Sequence, residues 1–565
     1  MRYKLLSGVA SSALVLVIGF AGGASAADLA VRAQPPAPAW SWAGLYFGVH
    51  IGSAMGLNTV NDPFGPSIFG DQIHSPGYFG GAQIGFNWQA PGSSVVWGIE
   101  ADASLANLDG TNTCFAFSGT FTSLNCRAHT DAFGTATGRV GWAFGPFGRS
   151  LIYAKGGLAW GHSDVDTIIN FESFGVAAGR TSTTSFTSVG WTIGAGLEYA
   201  LTPNWTVKAE YDYLDLGHAG VSPASPSVNT PLVPPATFLA VPATTVSQQI
   251  HAFKLGMNYK LGPNTAPFPS AAVFPALGVS GWDVEVGARW WYSWGRFQKD
   301  IAPGVLGPQN PTLNISRLTW DDLTAHSGEG FARIDTPMNV FVKGFAGGGK
   351  MTGGKINDED WIAPPTGYSN TVGSASGTLS YWTIDAGYDL IRGPGTKVGV
   401  FAGYNEYRDN KSSFNCTQIA SPASGICNPP ISGVFVLGEN DKWQSVRVGA
   451  NADVMLTDRW RLSADVAFVP YTKFTGQDFY PLRPFIADET GKGIGTQAEL
   501  FLSYYVTPQF SIGAGGRYWA MWTTSGSDCR EFDRVTAVCP TTLQNMQFKT
   551  ERYGLLLQAS YKFLP

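Results

Sequence analysis

The residues best suited to chemistry in this 565-residue sequence are carboxylates. Asn357-Asp358-Glu359-Asp360-Trp361 carries three acids in a row, and Gly476-Gln477-Asp478-Phe479-Tyr480 holds a fourth. On an extended chain residues i and i+2 point the same way, so Asp358 and Asp360 share a face and crowd like charges. Set opposite Asp478 across a barrel mouth, the pair would hold and activate a water for attack on a peptide bond. Acids in an outer loop also bind divalent cations and lipopolysaccharide, and residue types alone leave both uses open. His326 is the one imidazole beyond residue 280, and it reaches such a mouth only if its strand is long. The sequence holds no Gly-x-Ser-x-Gly elbow, phosphate loop or His-Glu-x-x-His zinc motif. Gly347-Gly348-Gly349 reads as a place for a strand to bend or pack closely.

The elements that must position these acids are strands. Gly accounts for 70 residues and charged residues for 14% of the chain, against roughly 25% charge in an average soluble domain. Past the N-terminus no run of about 18 apolar residues occurs, which excludes a helical membrane bundle. An aromatic content of 13% excludes disorder, and a net charge of -5 offers no footprint for nucleic acid. Apolar residues at helical spacing, which a coiled coil or helical solenoid needs, are absent.

Residues 1–26 have the form of a secretory signal. Arg2 and Lys4 make a positive n-region, Leu5 to Phe20 an apolar core, and Ala24-Ser25-Ala26 a small-residue cleavage site. An exported chain meets an oxidising environment. The six Cys fall into close couples, Cys114 with Cys126, Cys416 with Cys427, and Cys529 with Cys539. Many pairings are open to six cysteines, and proximity favours three local staples over metal ligation, because no His lies near them.

Alternation dominates the rest. In Trp205–Tyr213 the odd positions are Trp, Val, Ala, Tyr and Tyr, and the even ones Thr, Lys, Glu and Asp. Between Trp443 and Leu456 the even positions from Val446 are Val and Ala and then Leu, against Arg447, Asn451 and Asp453. Period two over ten or more residues ending in aromatics is the mark of a transmembrane β-barrel strand. Eight such strands are expected near 42–56, 78–90, 95–108, 131–144, 150–164, 187–201, 204–217 and 249–261. Ten more follow near 281–298, 315–334, 338–352, 374–391, 396–414, 442–457, 459–477, 494–506, 509–524 and 549–563. Links alternate short and long, as periplasmic turns and outer loops do. All three Cys couples then fall in long outer loops, Asp358 and Asp360 just above one strand, and Asp478 just above another.

Both counts are even, so each set returns its ends to the periplasmic side. The fold class is therefore all-β, with two antiparallel transmembrane barrels in one chain. The expected order is a signal peptide at 1–26, a first barrel at 27–262, a Pro/Ala-rich periplasmic linker at 263–280, and a second barrel at 281–565. A single merged 18-stranded pore is the competing reading. In the first set the inward positions carry Glu100, Asp102, Glu198, Glu210 and Asp212 against Arg139, Lys155, Lys208 and Lys254. An eight-stranded barrel is only wide enough for side chains to fill it, so these charges are expected to pair as a plug.

Two resemblances follow. Trp42-Ala43-Gly44-Leu45-Tyr46-Phe47-Gly48, Gly190–Ala200, Lys208–Gly217 and Met257–Leu261 make residues 27–262 similar to the opacity-type (RopB-like) immunogenic outer-membrane proteins of Gram-negative bacteria. That family implies an eight-stranded surface barrel with structural, envelope or adhesion roles and no chemistry to carry over. Ser316–Trp320, Val342-Lys343-Gly344, Asp358–Trp361, Gly399–Tyr404 and the closing Ser560-Tyr561-Lys562-Phe563 make residues 281–565 resemble the omptins. Omptins are surface endopeptidases that cut beside basic residues with an Asp pair facing an Asp-His dyad. Carried over by position, the pair is Asp358 and Asp360 and the dyad acid is Asp478, while Tyr480 stands where the His is expected.

The expected protein is a Gram-negative outer-membrane barrel, exported with cleavage after Ala26. Its expected role is structural or surface-interacting, porin-like in the envelope, with an omptin-like second barrel impaired in catalysis. The alternatives are an omptin-type endopeptidase, with His326 as substitute base, and a solute-conducting porin. No cofactor, metal or nucleic acid is expected. The expected partners are the outer membrane, lipopolysaccharide, the outer-membrane assembly machinery, and a peptide substrate or surface ligand.

Overall fold

The computed structural model describes residues 40–62, 72–114, 124–169, 172–173, 176–177, 181–224, 242–262, 281–305, 314–361, 368–393, 395–420, 427–482, 485–531 and 544–563. The signal segment 1–26, the linker 263–280 and Cys539 lie outside them.

The first sheet contains β1 (Gly44–Val60), β2 (Gln72–Gln89), β3 (Val95–Cys114), β4 (Leu124–Phe144) and β5 (Ser150–Ile169). After a small hairpin of β6 (Glu172–Ser173) and β7 (Val176–Ala177) it continues with β8 (Thr181–Ala200), β9 (Trp205–Val221) and β10 (Thr244–Lys260). The second contains β11 (Asp283–Val305), β12 (Ser316–Asp335), β13 (Val340–Trp361), β14 (Tyr368–Gly393) and β15 (Thr396–Ala420). It is completed by β16 (Ile431–Met455), β17 (Trp460–Tyr480), β18 (Phe485–Tyr505), β19 (Phe510–Glu531) and β20 (Gln544–Phe563). All neighbours are antiparallel, and each sheet closes on itself, with Tyr46 opposite Lys260 and Val284 opposite Phe563. Two closures replace the single merged pore.

Strands run further toward the long-loop end than the alternation suggests. β13 continues to Trp361 and β17 to Tyr480, so Asp358, Asp360 and Asp478 lie within paired strands and not in loops above them. Bulges explain the lost signal. β13 slips register between Met351 and Lys355, which exchanges its inward and outward positions and breaks the period-two pattern. Cys114 and Cys126 likewise form their disulfide at the ends of β3 and β4, buried with Val60, Ile73, Leu124 and Val165, and not in a polar loop. Cys416 and Cys427 are also bonded.

Both lumens are filled. In the first, Lys155 Nζ lies 2.8 Å from Glu210 and 3.3 Å from Asp212, and Lys254 Nζ 2.8 Å from Asp212. Lys208 Nζ lies 2.9 Å from Glu100, and Arg139 3.2 Å from Glu198, making one buried network of the nine charges read as inward. Trp40 and Trp42 pack at the short-turn end, and Phe79, Phe133 and Leu214 form an apolar layer beyond the network. In the second barrel, Trp291, Tyr381 and Trp519 meet edge to face at 5.2 to 5.4 Å, with Arg517 against the indoles. A polar cavity of about 90 Å³, lined by Arg289, Arg333, Lys343, Arg447 and their acids, lies on the short-turn side of that layer.

The barrels touch along a diagonal, as tilted strands require. Near the short turns Ser150 Oγ donates to the carbonyl of Leu456, and a Cβ at Gly145, which has φ of 76°, would lie 2.1 Å from that oxygen. Val207, Ala209 and Leu255 then pack with Val454, Leu462, Ala464 and Val466. At the long-loop end the contact turns polar. Arg317 donates to Asp300 at 2.7 Å within its own barrel, and to Thr113 at 2.8 Å and Asn125 at 2.6 Å in the other.

Candidate functional site in the outer lumen of the second barrel

The lipid-facing band of the second barrel ends near Trp290, Trp382 and Tyr471, whose side chains are substantially exposed on its outer surface. β11, β13, β16, β17 and β18 continue beyond it, with Phe297, Trp443 and Phe474 buried in the lumen there. The candidate residues stand among these extensions, outside the membrane.

After the bulge in β13, Ile356 joins the lumen core, so Asp358 and Asp360 share its inward face. Glu359 between them turns outward and accepts a hydrogen bond from Thr113 of the first barrel at 3.1 Å. Asp478 on β17 is buried, and its Oδ2 accepts from the Tyr480 hydroxyl at 3.3 Å. The sequence-predicted acids therefore converge. Burial, together with the charges of Asp478, Asp358 and Asp360, holds the Tyr480 hydroxyl well above the ordinary tyrosine value. A proton removed from Tyr480 would leave an anion facing three carboxylates in a buried space, so its hydroxyl does not serve as a base near neutrality.

Lys299 is the functional residue that sequence reasoning missed. Its Nζ donates to Asp478 Oδ2, and to Glu489 at 2.9 Å, and lies 3.1 Å from Glu439. The surrounding acids keep this ammonium charged despite its burial. Lys299 lies one residue past the strand expected at 281–298, on the same inward face of β11 as Trp291, Ser293 and Phe297, so the alternation reaches it but the expected strand stops short. Burial and the neighbouring Glu439 raise the Asp478 carboxyl to about 6, an effect that Lys299 opposes.

His326 does not join the group, which corrects its assignment as a substitute base. It lies on the outer surface of β12, with its ring 5.6 Å from Trp290 and 5.0 Å from Tyr292 in the lipid-facing aromatic belt. Trp290 and Tyr292 occupy outward positions on β11, and Tyr292 stands opposite His326 in the register. Among the described residues of the second barrel, no imidazole faces the outer lumen. The arrangement gathers carboxylates around one ammonium group, and its described residues include no imidazole to take a proton from water near neutral pH.

Comparison with known proteins agrees with this architecture. The family model described as "Outer membrane protein beta-barrel domain" matches residues 14–260. The 31 kDa outer-membrane immunogenic protein of Brucella melitensis biotype 1 is 32% identical over 255 residues, covering 43% of this chain and 95% of the relative. The 22 kDa outer membrane protein of Rhizobium leguminosarum bv. viciae is 31% identical, covering 32% of this chain and 67% of that protein. Among solved structures, the outer membrane protease OmpT from Escherichia coli aligns with 52% of this chain and 99% of its own, at 15% identity and a TM-score of 0.42. With Gram-negative outer-membrane proteins as relatives and two closed antiparallel barrels, the chain belongs to the outer membrane protein β-barrel family.

Proposed function

We propose that this outer-membrane protein has a structural and surface-interaction role, and that its second barrel follows an omptin-like plan without peptidase activity. The observation that carries this reading is the Lys299–Asp478 ion pair. The carboxylate that would orient a general base is instead engaged by an ammonium group and by the hydroxyl of Tyr480. Neither a charged ammonium nor a phenol, whose ordinary pKa of ~10 is raised further at Tyr480, takes a proton from water near neutral pH. Loss of general-base catalysis alone reduces rates by roughly 10²–10⁴. The filled lumens support an envelope role over solute conduction, and the immunogenic relatives support exposure at the cell surface. Lipopolysaccharide, the outer-membrane assembly machinery and a surface ligand are the partners this role calls for.

The test is peptide cleavage. The protein, folded in detergent with lipopolysaccharide, is offered fluorogenic peptides containing paired basic residues. The expected turnover equals that of the Asp358→Asn/Asp360→Asn variant, in protein shown folded by heat-modifiable gel mobility. Turnover that disappears in that variant would overturn the reading and make the protein a surface endopeptidase with convergent Asp358, Asp360 and Asp478.

A further inference from the structure

Three further carboxylates stand beside Asp478. Glu439 and Asp441 on β16 and Glu489 on β18 are buried, and one oxygen from each lies within 4.8 Å of the other two. Glu439 Oε1, Asp441 Oδ1 and Glu489 Oε2 are each buried without a hydrogen-bond partner among the described residues.

The strand register explains why they meet. Asp441 stands opposite Gly476 of β17, which stands opposite Glu489, so the three form one row across three strands. The middle of the row has no side chain. A Cβ at Gly476 would lie 2.7 Å from the edge of the Phe474 ring, 2.8 Å from Glu489 Oε2 and 3.1 Å from Asp441 Oδ1, so two of the unpartnered oxygens converge beside that ring on the space that the glycine leaves. Glu439 projects from the same face of β16 as Asp441, two residues away.

The local charge does not balance. Lys299 serves Glu439, Asp478 and Glu489, while Lys411 serves Asp409, at 2.8 Å, and Asp441. Five carboxylates thus share two ammonium groups. An aromatic floor closes the space, with Trp443 4.7 Å from Phe474 and Lys411 Nζ 4.0 Å from the Phe297 ring. Buried uncompensated charge is strongly unfavourable and must be met by protons or by a cation. Each proton satisfies one oxygen, whereas a divalent ion satisfies several convergent ones together. Ca²⁺ binds oxygens at about 2.4 Å, so two ligands of one ion stand at most about 4.8 Å apart. The three carboxylates meet that limit.

We propose that Glu439, Asp441 and Glu489 form a buried site for a hard divalent cation of the Ca²⁺ class, with Gly476 leaving room for the ion. The ion would tie β16 to β18 across β17 and neutralise most of the excess charge. The inference stands apart from the question of peptide cleavage, and its readouts do not involve turnover.

The experiment uses the full chain, folded in detergent without lipopolysaccharide, stripped with EDTA and then freed of chelator. CaCl₂ is titrated by calorimetry and thermal unfolding, and Tb³⁺ is used as a luminescent substitute excited through tryptophan. The expected result is saturable Ca²⁺ binding at one site per chain, a Tm that rises and then levels off, and sensitised Tb³⁺ emission displaced by Ca²⁺. Glu489→Gln, which keeps the side-chain volume, and Gly476→Ala, which fills the space, are each expected to weaken binding at least 10-fold. Absence of saturable binding and of any Ca²⁺-dependent Tm shift in the unmodified protein would overturn the proposal, leaving protons to neutralise the cluster. So would undiminished binding in either variant, shown folded by its gel mobility. The titration of the unmodified protein decides the matter even where a variant fails to fold.

Discussion

Lys299 on β11 and Asp478 on β17 form a buried ion pair across the outer lumen of the second barrel. The same ammonium reaches Glu439 and Glu489, so a single cation from β11 holds acids from three other strands. It is a cross-lumen brace that joins β11 to β16, β17 and β18.

Lys299→Met keeps the length of the side chain and removes its charge. Breaking a buried pair from one side leaves its acids uncompensated, a loss of about 3–5 kcal/mol. The urea midpoint of the folded protein in lipid vesicles, followed by tryptophan fluorescence, is expected to fall accordingly. An unchanged midpoint would show that other charges or protons neutralise these acids.

The Asp478 carboxyl is raised from its ordinary 3.8 to about 6, chiefly by burial. The folded state then binds this proton more tightly than the unfolded state does. Stability linked to it is fully present below about 3.8 and is lost as pH rises through about 6. In EDTA, the Tm difference between the unmodified protein and Asp478→Asn is expected to shift in favour of the unmodified protein as pH falls from 7 to 4. A difference independent of pH over that range would refute the assignment.

Arg317 joins the outer ends of the two barrels through Asp300, Thr113 and Asn125. Lipid is as apolar as a neighbouring barrel wall, so apolar contact within the membrane does little to drive the barrels together. Polar bonds beyond the membrane therefore matter more to their union. Arg317→Met is expected to reduce stability by about 3–5 kcal/mol, because Asp300 is left buried without its ion-pair partner, with only the hydrogen bonds from Thr111 and Gln298. Thr113→Val, which removes two hydrogen bonds across the junction, one from Arg317 and one to Glu359, is expected to lose about 2 kcal/mol. Denaturation curves of the two variants check both values.

Lumens closed by the charge network around Lys155 and by Trp291, Tyr381 and Trp519 are expected to pass no steady current. Purified protein in planar bilayers is the measurement. A stable open level at moderate voltage would show that one of these layers moves aside.

Much of the architecture was legible in the residues themselves. The alternation in Trp205–Tyr213 is a local property of an extended chain, and Thr206, Lys208, Glu210 and Asp212 do face the lumen. The charges in the first set could be paired from parity and barrel width alone, since eight strands leave room for nothing else. Parity fails after a bulge, because one extra residue exchanges the two faces. That is why the full reach of β13 and β17 was not legible and why Cys114 and Cys126 read as loop residues, whereas Lys299 keeps the alternation of β11 and only lies past its expected end.

Sequence by itself determined the class of fold, the two sets of strands and the acids that converge in the second, because period, parity and turn chemistry are short-range properties. Only the tertiary structure decided what lies beyond each face. Val207 and Ala209 read as lipid-facing and are covered by the other barrel, since hydrocarbon and a neighbouring apolar wall demand the same residue types. Glu359 bonds to the first barrel while Asp358 and Asp360 face Tyr480, and His326 lies in the aromatic belt instead of over the lumen. Partners such as Lys299 and Asp478 are distant in sequence and meet only when ten strands close with one stagger, which no local pattern encodes.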